Sequence, residues 1–488
     1  MTMIPMGTEA VAHAGERRRE VRQHVLALIE GGALRRGSRL PSILELSRTL
    51  GVAKNTVIAA LDELCGEGVL EGRERQGFFV KSARRRDAAR ATALRDLDTD
   101  HVAHGMASIL AQTRDDMGNI GNGTTAESLL GTPEWTAFLK AAPPRDPRSS
   151  LRYADPAGEP RLREVIGARY GDADDAAERT LITHGAVEAL NLAFAAVAAR
   201  TGNKRVAIES PGYFMLGPIL EALGLEPVAI PRTRDALDTD RLRREIRRAP
   251  IAAIMVNPSH HNPTGATLSL AERFDVARLA EEHRAFVVED DVYRGLYADE
   301  EEPPSILSLL PSRTIYLSSF SKTLGPALRV GYLIAPAALM KDLLRRKYVA
   351  SISGDAYTQN LVADFVDQRR HQRHLVELRE ELCRRARIAR REAEASPSLG
   401  RFTGKYTGGL FHRFDFAEGI DPMALYRAAR EENVLLSPGY FFRTTEGSAS
   451  DDAWMRVNVS RCEPTVLGKV LKLLERFVRG GAAAPGAG

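Results

Sequence analysis

Cysteine is scarce. The chain of 488 residues holds three, Cys65, Cys383 and Cys462, set far apart. None has the short spacing that seats a metal, so a disulfide scaffold and a zinc module are excluded, and free structural thiols in a reducing cytoplasm are expected. Long apolar runs are lacking too. No stretch approaches the roughly 18–20 apolar residues that cross a bilayer. The opening MTMIPMGTEAVAHAGERRRE has no apolar core between its charges, so no secretory signal and no membrane association are expected. What remains, 44% hydrophobic and 27% charged, is an ordinary soluble composition with length for two or three domains.

Charge of one sign is nearly balanced, but not evenly placed. Met1 to Arg90 carry 16 Lys+Arg against 11 Asp+Glu, and the other 398 residues carry 52 against 53. The first fifth of the chain therefore holds the positive excess. An anionic partner and a plain solvated basic face both account for it.

Residues 14–81 read as a helical unit. Val21, Val25, Leu26, Leu28 and Ile29 recur at helical spacing up to Gly31-Gly32, Pro41 opens a short helix stopped by Gly51, and a third helix starts near Lys54. GVLEGRERQGFFV then alternates and turns like a small β-wing. Residues 82–118 are charged and Ala-rich and read as a linker. From 119 to 478 strands and helices alternate. Apolar runs at Val206–Glu209, Pro227–Ile230, Ala252–Val256, Phe286–Glu289, Thr314–Leu317 and Arg329–Ile334 predict an α/β fold with a large, mostly parallel sheet (about 150–340), followed by a smaller lobe (about 341–478). GGAAAPGAG closes a low-complexity tail, 479–488, expected to be disordered.

Two helices, a tight turn and a basic hairpin make winged helix-turn-helix geometry. With Val57, Ala60, Leu61 and Leu64 inward, Lys54, Asn55 and Thr56 face outward at a helix N-terminus suited to phosphates and base edges. Arg48, and Arg73 and Arg75 on the wing, are further candidates for double-stranded DNA. The stretch GSRLPSILELSRTLGVAKNTVIAALDELCGEGVLEGRERQGFFV resembles the GntR superfamily from end to end. It departs at Leu44, where family members usually carry an arginine for phosphate, and at Arg75-Gln76-Gly77-Phe78, in place of the wing's small residues. A DNA reader and a retained helical cap both remain open.

SSFSKTLGPALRVGYL places Lys322 and Arg329 between two expected buried strands, where a solitary charge is costly. A lysine there can carry chemistry as an imine with a carbonyl cofactor, and pyridoxal phosphate demands a set of partners that can be checked. An anion must face its ring nitrogen: Asp290 ends the strand of VVEDDVYRGL. Tyr293 and Asn262, the latter in HHNPTG, could bond its phenolic oxygen. Its phosphate needs helix N-terminal amides and cations, supplied by Gly185-Ala186-Val187, Ser319, Ser321 and Arg329. Tyr213 in ESPGYF could stack on the ring. Arg456 in WMRVNVS could clamp a ligand's carboxylate. His260 or His261 could face a substrate, or be ordinary strand-end polar residues; no metal site is expected.

Together these motifs resemble fold-type I aminotransferases over residues 119–478. The resemblance implies Lys322 as the cofactor lysine, with the other residues in the roles just given. It also implies that Tyr153, in LRYADPAGEPRLREVIGARY, reaches the phosphate of a neighbouring subunit in a homodimer. A GntR-like head on such a body resembles the MocR subgroup of bacterial transcriptional regulators. That implies a regulator whose body senses an amino acid, an amine or pyridoxal phosphate itself through exchange at Lys322. The alternative is a true enzyme, a transaminase or an elimination or replacement catalyst, with a vestigial head.

Overall fold

The computed structural model describes residues 8–30, 34, 38–66, 69–73, 77–80, 104–106, 118–141, 151–170, 175–233, 236–298, 302–444 and 452–480, in two units, Met1–Leu97 and Asp98–Gly488. The first unit contains helices α1 (Thr8–Glu30), α2 (Ile43–Leu50) and α3 (Lys54–Gly66) and an antiparallel hairpin of β1 (Leu70–Arg73) and β2 (Gly77–Val80). Ser42 starts α2 through a capping box, its Oγ accepting from Glu45 N (3.2 Å) while its own N–H donates to Glu45 Oε2 (2.7 Å). Gly51 ends α2 at φ +65°, a left-handed position that favours glycine. Val21 and Val25 of α1 meet Val57, Ala60, Leu61 and Leu64 of α3 and Leu70 and Val80 of the hairpin in one core. Glu63 of α3 accepts from Arg18 (2.9 Å) and Arg22 (3.2 Å), which orients α1 on α3.

The second unit is built on a seven-stranded sheet. In chain order its strands are β3 (Thr180–Thr183), β4 (Arg205–Ser210), β5 (Glu226–Pro231), β6 (Ala253–Val256), β7 (Phe286–Asp290), β8 (Thr314–Ser319) and β9 (Gly331–Ile334). In space they run β3-β9-β8-β7-β6-β4-β5. Only β9 opposes its neighbours, β3 and β8; the other four pairings are parallel. Both faces are covered, which is why β6, β7 and β8 are buried at every residue and read as unbroken runs. Val288 packs with Leu190, Phe194 and Val197 of α4 (Ala186–Thr201). Its neighbour Val287 packs on the opposite face with Val276 and Leu279 of α5 (Leu270–Glu282). The parallel strands thus deliver their C-terminal ends to one edge, where α/β sheets place ligand groups.

Helix α6 (Ala337–Ser351) contributes Leu339 and Leu343 to the same cluster as Val288. The lobe boundary expected near 340 therefore falls inside a helix of the large sheet. The exposed charges of that helix, Lys341 and Arg345, interrupt the apolar pattern, while Leu339 and Leu343 bury its other face. The smaller lobe is an antiparallel sheet of β10 (Gly400–Phe402), β11 (Phe411–Phe416) and β12 (Trp454–Asn458). It packs with α7 (Arg369–Glu394), α8 (Pro422–Glu431) and α9 (Pro464–Arg479). The expected linker falls outside the described residues except for 104–106 and 118. Within that exception His104 is buried, stacked on Phe441 at 4.0 Å with Nε2 3.0 Å from Ser437 Oγ. Part of the stretch read as linker thus packs on the second unit.

Candidate functional site

Lys322 lies just beyond β8, half-buried. Its Nζ donates to the Gly123 carbonyl (2.7 Å), its own carbonyl accepts from Thr125 Oγ1 (2.7 Å), and the amine stands 5.9 Å from the Tyr293 ring centre. Burial draws its pKa down to about 8, helped by the positive charges of Arg456 and Arg329 and opposed by Asp290. Asp290 closes β7, buried, with Oδ1 lacking any hydrogen-bond partner. Burial pushes its carboxyl up to about 7, against the bond it accepts from the Val292 N–H. A free lone pair on a buried carboxylate is costly without a partner.

Asn257, the residue after β6, holds this corner together. Its Nδ2 donates to the Asp290 carbonyl (2.5 Å), its Oδ1 accepts from Asn262 N (2.8 Å), and its backbone N–H donates to Glu209 Oε2 (2.7 Å). Glu209 is itself paired with buried Arg232. Sequence reading passed over Asn257, although it stands at a strand end as Asp290 does. It also passed over Gly123 and Thr125, which carry no pattern of their own.

A second group surrounds the start of α4. Gly185 precedes that helix at φ +84°, and a Cβ there would meet Arg329 Nη2 at 2.8 Å. Arg329, itself at φ +51°, donates to the His184 carbonyl (2.7 Å). The amides of Ala186 and Val187 open the helix beside this guanidinium. Ser319 Oγ donates to the Val330 carbonyl (3.1 Å), accepts from Ser321 N (3.2 Å) and lies 2.9 Å from Ser321 Oγ. Free N–H groups, hydroxyls and a cation in one place suit a phosphate.

Arg456 of β12 is wholly buried. Its guanidinium lies 4.5 Å from the Phe411 ring centre and 4.8 Å from that of Phe442. It donates to Asn262 Oδ1 (2.7 Å) and the Gly121 carbonyl (2.7 Å), and its Nε has no partner. Burial draws its pKa down to about 10. Tyr293 is buried beside it, its hydroxyl pushed up by burial and bonded to Asn262. Tyr213 is half-buried, its hydroxyl raised to about 12 by burial and then by Asp290. Of the candidates in the second unit, Tyr153 stands apart, 79% exposed.

His260 and His261 do not open onto a cleft. His260 is buried under Gly408 and Gly409, its ring centre 4.2 Å from that of Tyr297 with the planes tilted 56°; burial brings its pKa down to about 3, with Arg273 adding to the effect. His261 is buried against Thr264 (2.9 Å), and burial holds it neutral as well. Both are strand-end packing residues.

In the first unit Arg48, Lys54 and Asn55 are exposed and Thr56 is half-buried. Leu44 and Ile58 are exposed apolar side chains on the same two helices. Arg73 ends β1 opposite Gly77, and Arg75 lies outside the described residues.

Residues 125–474 match the family of aminotransferases class I and II, and residues 17–80 match the bacterial regulatory proteins of the gntR family. The chain is 27% identical to the probable rhizopine catabolism regulatory protein MocR of Rhizobium meliloti, over 86% of either chain. It belongs to the MocR subgroup of the GntR superfamily. A second relative of this MocR-type chain is the HTH-type transcriptional regulator YjiR of Escherichia coli K12, 30% identical over 73% of this chain and 78% of that protein. Among solved structures it is similar to LysN, the α-aminoadipate aminotransferase of Thermus thermophilus, complexed with N-(5'-phosphopyridoxyl)-L-leucine. That likeness has a TM-score of 0.67 and 25% identity, and covers 76% of this chain and 94% of that one.

The aminotransferase body implies pyridoxal phosphate. The residues present fit it. Asp290 offers a buried lone pair without a donor, and Gly185 leaves open the space beside Arg329 that a Cβ would fill.

Proposed function

We propose that this MocR-type protein is a DNA-binding transcriptional regulator whose second unit holds pyridoxal phosphate at Lys322 and responds to an amino acid or amine. The observation that carries the reading is the convergence, at the ends of β7 and β8, of an amine of lowered basicity with a buried carboxyl whose Oδ1 has no hydrogen-bond partner. When bound, pyridoxal phosphate supplies an aldehyde for a primary amine and a ring that withdraws electrons. The chain's own residues do the rest. Asp290 would accept a hydrogen bond from the protonated ring nitrogen, and Tyr293 and Asn262 would address the phenolic oxygen. Gly185, Ala186, Val187, Ser319, Ser321 and Arg329 hold phosphate, and Tyr213 stacks. Arg456 takes a ligand carboxylate in exchange for its bonds to Asn262 and Gly121.

A homodimer goes with this reading. Leu151, Tyr153, Tyr348 and Val349 are 85%, 79%, 53% and 80% exposed, a cost that a second copy would remove. Tyr153 would then serve the neighbour's phosphate. Arg48, Lys54, Asn55, Thr56, Arg73 and Arg75 would face DNA, in a cytoplasmic protein. No helix among the described residues is long and apolar enough to cross a membrane.

The test is an electrophoretic shift on DNA from the protein's own upstream region, with and without pyridoxal phosphate. A shift altered by the cofactor and an amino acid is expected, and no shift at low salt removes the regulator. A second reading, a PLP enzyme, draws on Lys322 alone, since an amine with a pKa near 8 can accept and return a proton at a ligand's Cα. Multiple turnovers of keto-acid formation over an amino-acid panel would establish it.

A further inference from the structure

Helix α7 is dense in arginine, and most of these side chains are paired. Arg373 meets Glu134, Arg379 meets Glu302, Arg384 and Arg385 meet Glu381, and Arg391 meets Glu392. Arg387 and Arg390 have no carboxylate partner among the described residues. Each donates instead to a backbone carbonyl: Arg387 Nε to Cys383 (3.4 Å) and Arg390 Nη2 to Gly404 (2.7 Å). Both line one cavity of about 510 Å³, together with Lys405, which also lacks an acidic partner among the described residues. The remaining wall includes Ala298, Ala386 and Tyr406. Tyr406 spends its hydroxyl on the Gly409 carbonyl (2.6 Å), so its ring rather than its polar tip is left for a ligand. Cys383 contributes a half-exposed thiol.

Three cations unbalanced by any described carboxylate, around an apolar recess, are complementary to one kind of small molecule. We infer that this cavity is a second ligand site, separate from the residues gathered around Lys322, for an organic anion that combines a flat apolar body with a phosphate or carboxylate. The cations take the charged group, and Ala298, Ala386 and the Tyr406 ring take the body. The inference depends on neither DNA binding nor pyridoxal phosphate, so it stands or falls apart from them.

The test uses the full-length, cofactor-loaded protein and 1-naphthyl phosphate as probe, with inorganic phosphate and 1-naphthol as its separate halves. Calorimetry should find a saturable site for the naphthyl phosphate, with each half binding at least tenfold more weakly. The probe should slow iodoacetamide labelling of Cys383, read by peptide mass spectrometry, and leave Cys65 unchanged. The double variant Arg387→Glu, Lys405→Glu reverses two exposed charges and keeps the Arg390 bond to Gly404. It should lose the site, since each lost charged contact weakens binding by about tenfold or more. Its cofactor absorbance should be unaltered. Equal binding of 1-naphthol, or undiminished calorimetric binding by the double variant, would overturn the proposal. Should Cys383 prove unreactive in the free protein, the calorimetric comparison alone decides.

Discussion

The two units place lysine in opposite circumstances. Lys54 opens α3 as an exposed residue, with Val57 and Leu61 of the same helix wholly buried behind it. Lys322 lies half-buried at the end of β8, its amine tied to Gly123 and its basicity lowered by burial. Exposure keeps a charge cheap and ready for a phosphate backbone, which is what sequence-tolerant DNA contact requires. Burial makes the charge costly, and the same cost prepares an amine for covalent work near neutral pH. One residue type is thus suited to recognition in one unit and to chemistry in the other, and the difference lies in its surroundings.

The comparison breaks first at Lys322. Lys322→Ala should abolish retention of pyridoxal phosphate through gel filtration, read by visible absorbance, while the upstream DNA fragment is still shifted. Retention of the colour by this variant would show that another group holds the cofactor. Next in size is the core behind Lys54. Leu61 is fully buried, and Leu61→Ala should cost the first unit about 2–5 kcal/mol. DNA binding should fail at temperatures where cofactor absorbance is intact. Loss of both together would mean the units do not unfold separately.

Much of this contrast is legible in the chain itself, and the exceptions have physical reasons. Val57, Ala60, Leu61 and Leu64 repeat at helical spacing because one face of α3 must be apolar, and that repeat alone identifies its outer face. The strands of the large sheet stand out because both of their faces are covered. Asp290 could be found at a strand end, and by the same rule so could Asn257, which went unnoticed. The bed of Arg456 could not be found. Phe411 and Phe442 lie 31 residues apart in sequence and meet around its guanidinium only through the tertiary fold. His104 is likewise one buried ring in a polar stretch, with no periodicity to announce it.

A smaller effect sharpens the contrast on the exposed side. Lys54→Ala should weaken binding to all DNA sequences about equally and lower the slope of log affinity against log salt by about one, as for one phosphate contact. A fluorescence-anisotropy salt series on the upstream fragment and on unrelated DNA measures it. A loss confined to the upstream fragment would instead assign Lys54 to a base.

The last and smallest effect concerns protons, and here the units should respond with opposite sign. In the first unit Glu63 is held below the ordinary carboxylate range, chiefly by its bond from Arg18. The folded state therefore gives up that proton more readily than the unfolded chain, and its contribution is lost as pH falls through the carboxylate range. Asp290 in the cofactor-free second unit is raised to about 7 from an ordinary 3.8. Between roughly pH 4 and 7 the folded state keeps a proton that the unfolded chain releases, so stability falls as pH rises. Asp290→Asn removes that slope. Both tryptophans, Trp135 and Trp454, belong to the second unit, so tryptophan fluorescence during urea unfolding reads it alone. The stability of cofactor-free Asp290→Asn relative to the unsubstituted protein should climb steadily from pH 4 to pH 7 and level off above. A difference that does not change with pH would mean that the Asp290 carboxyl finds a partner when the cofactor is absent, and the buried side of the comparison would lose its electrostatic basis.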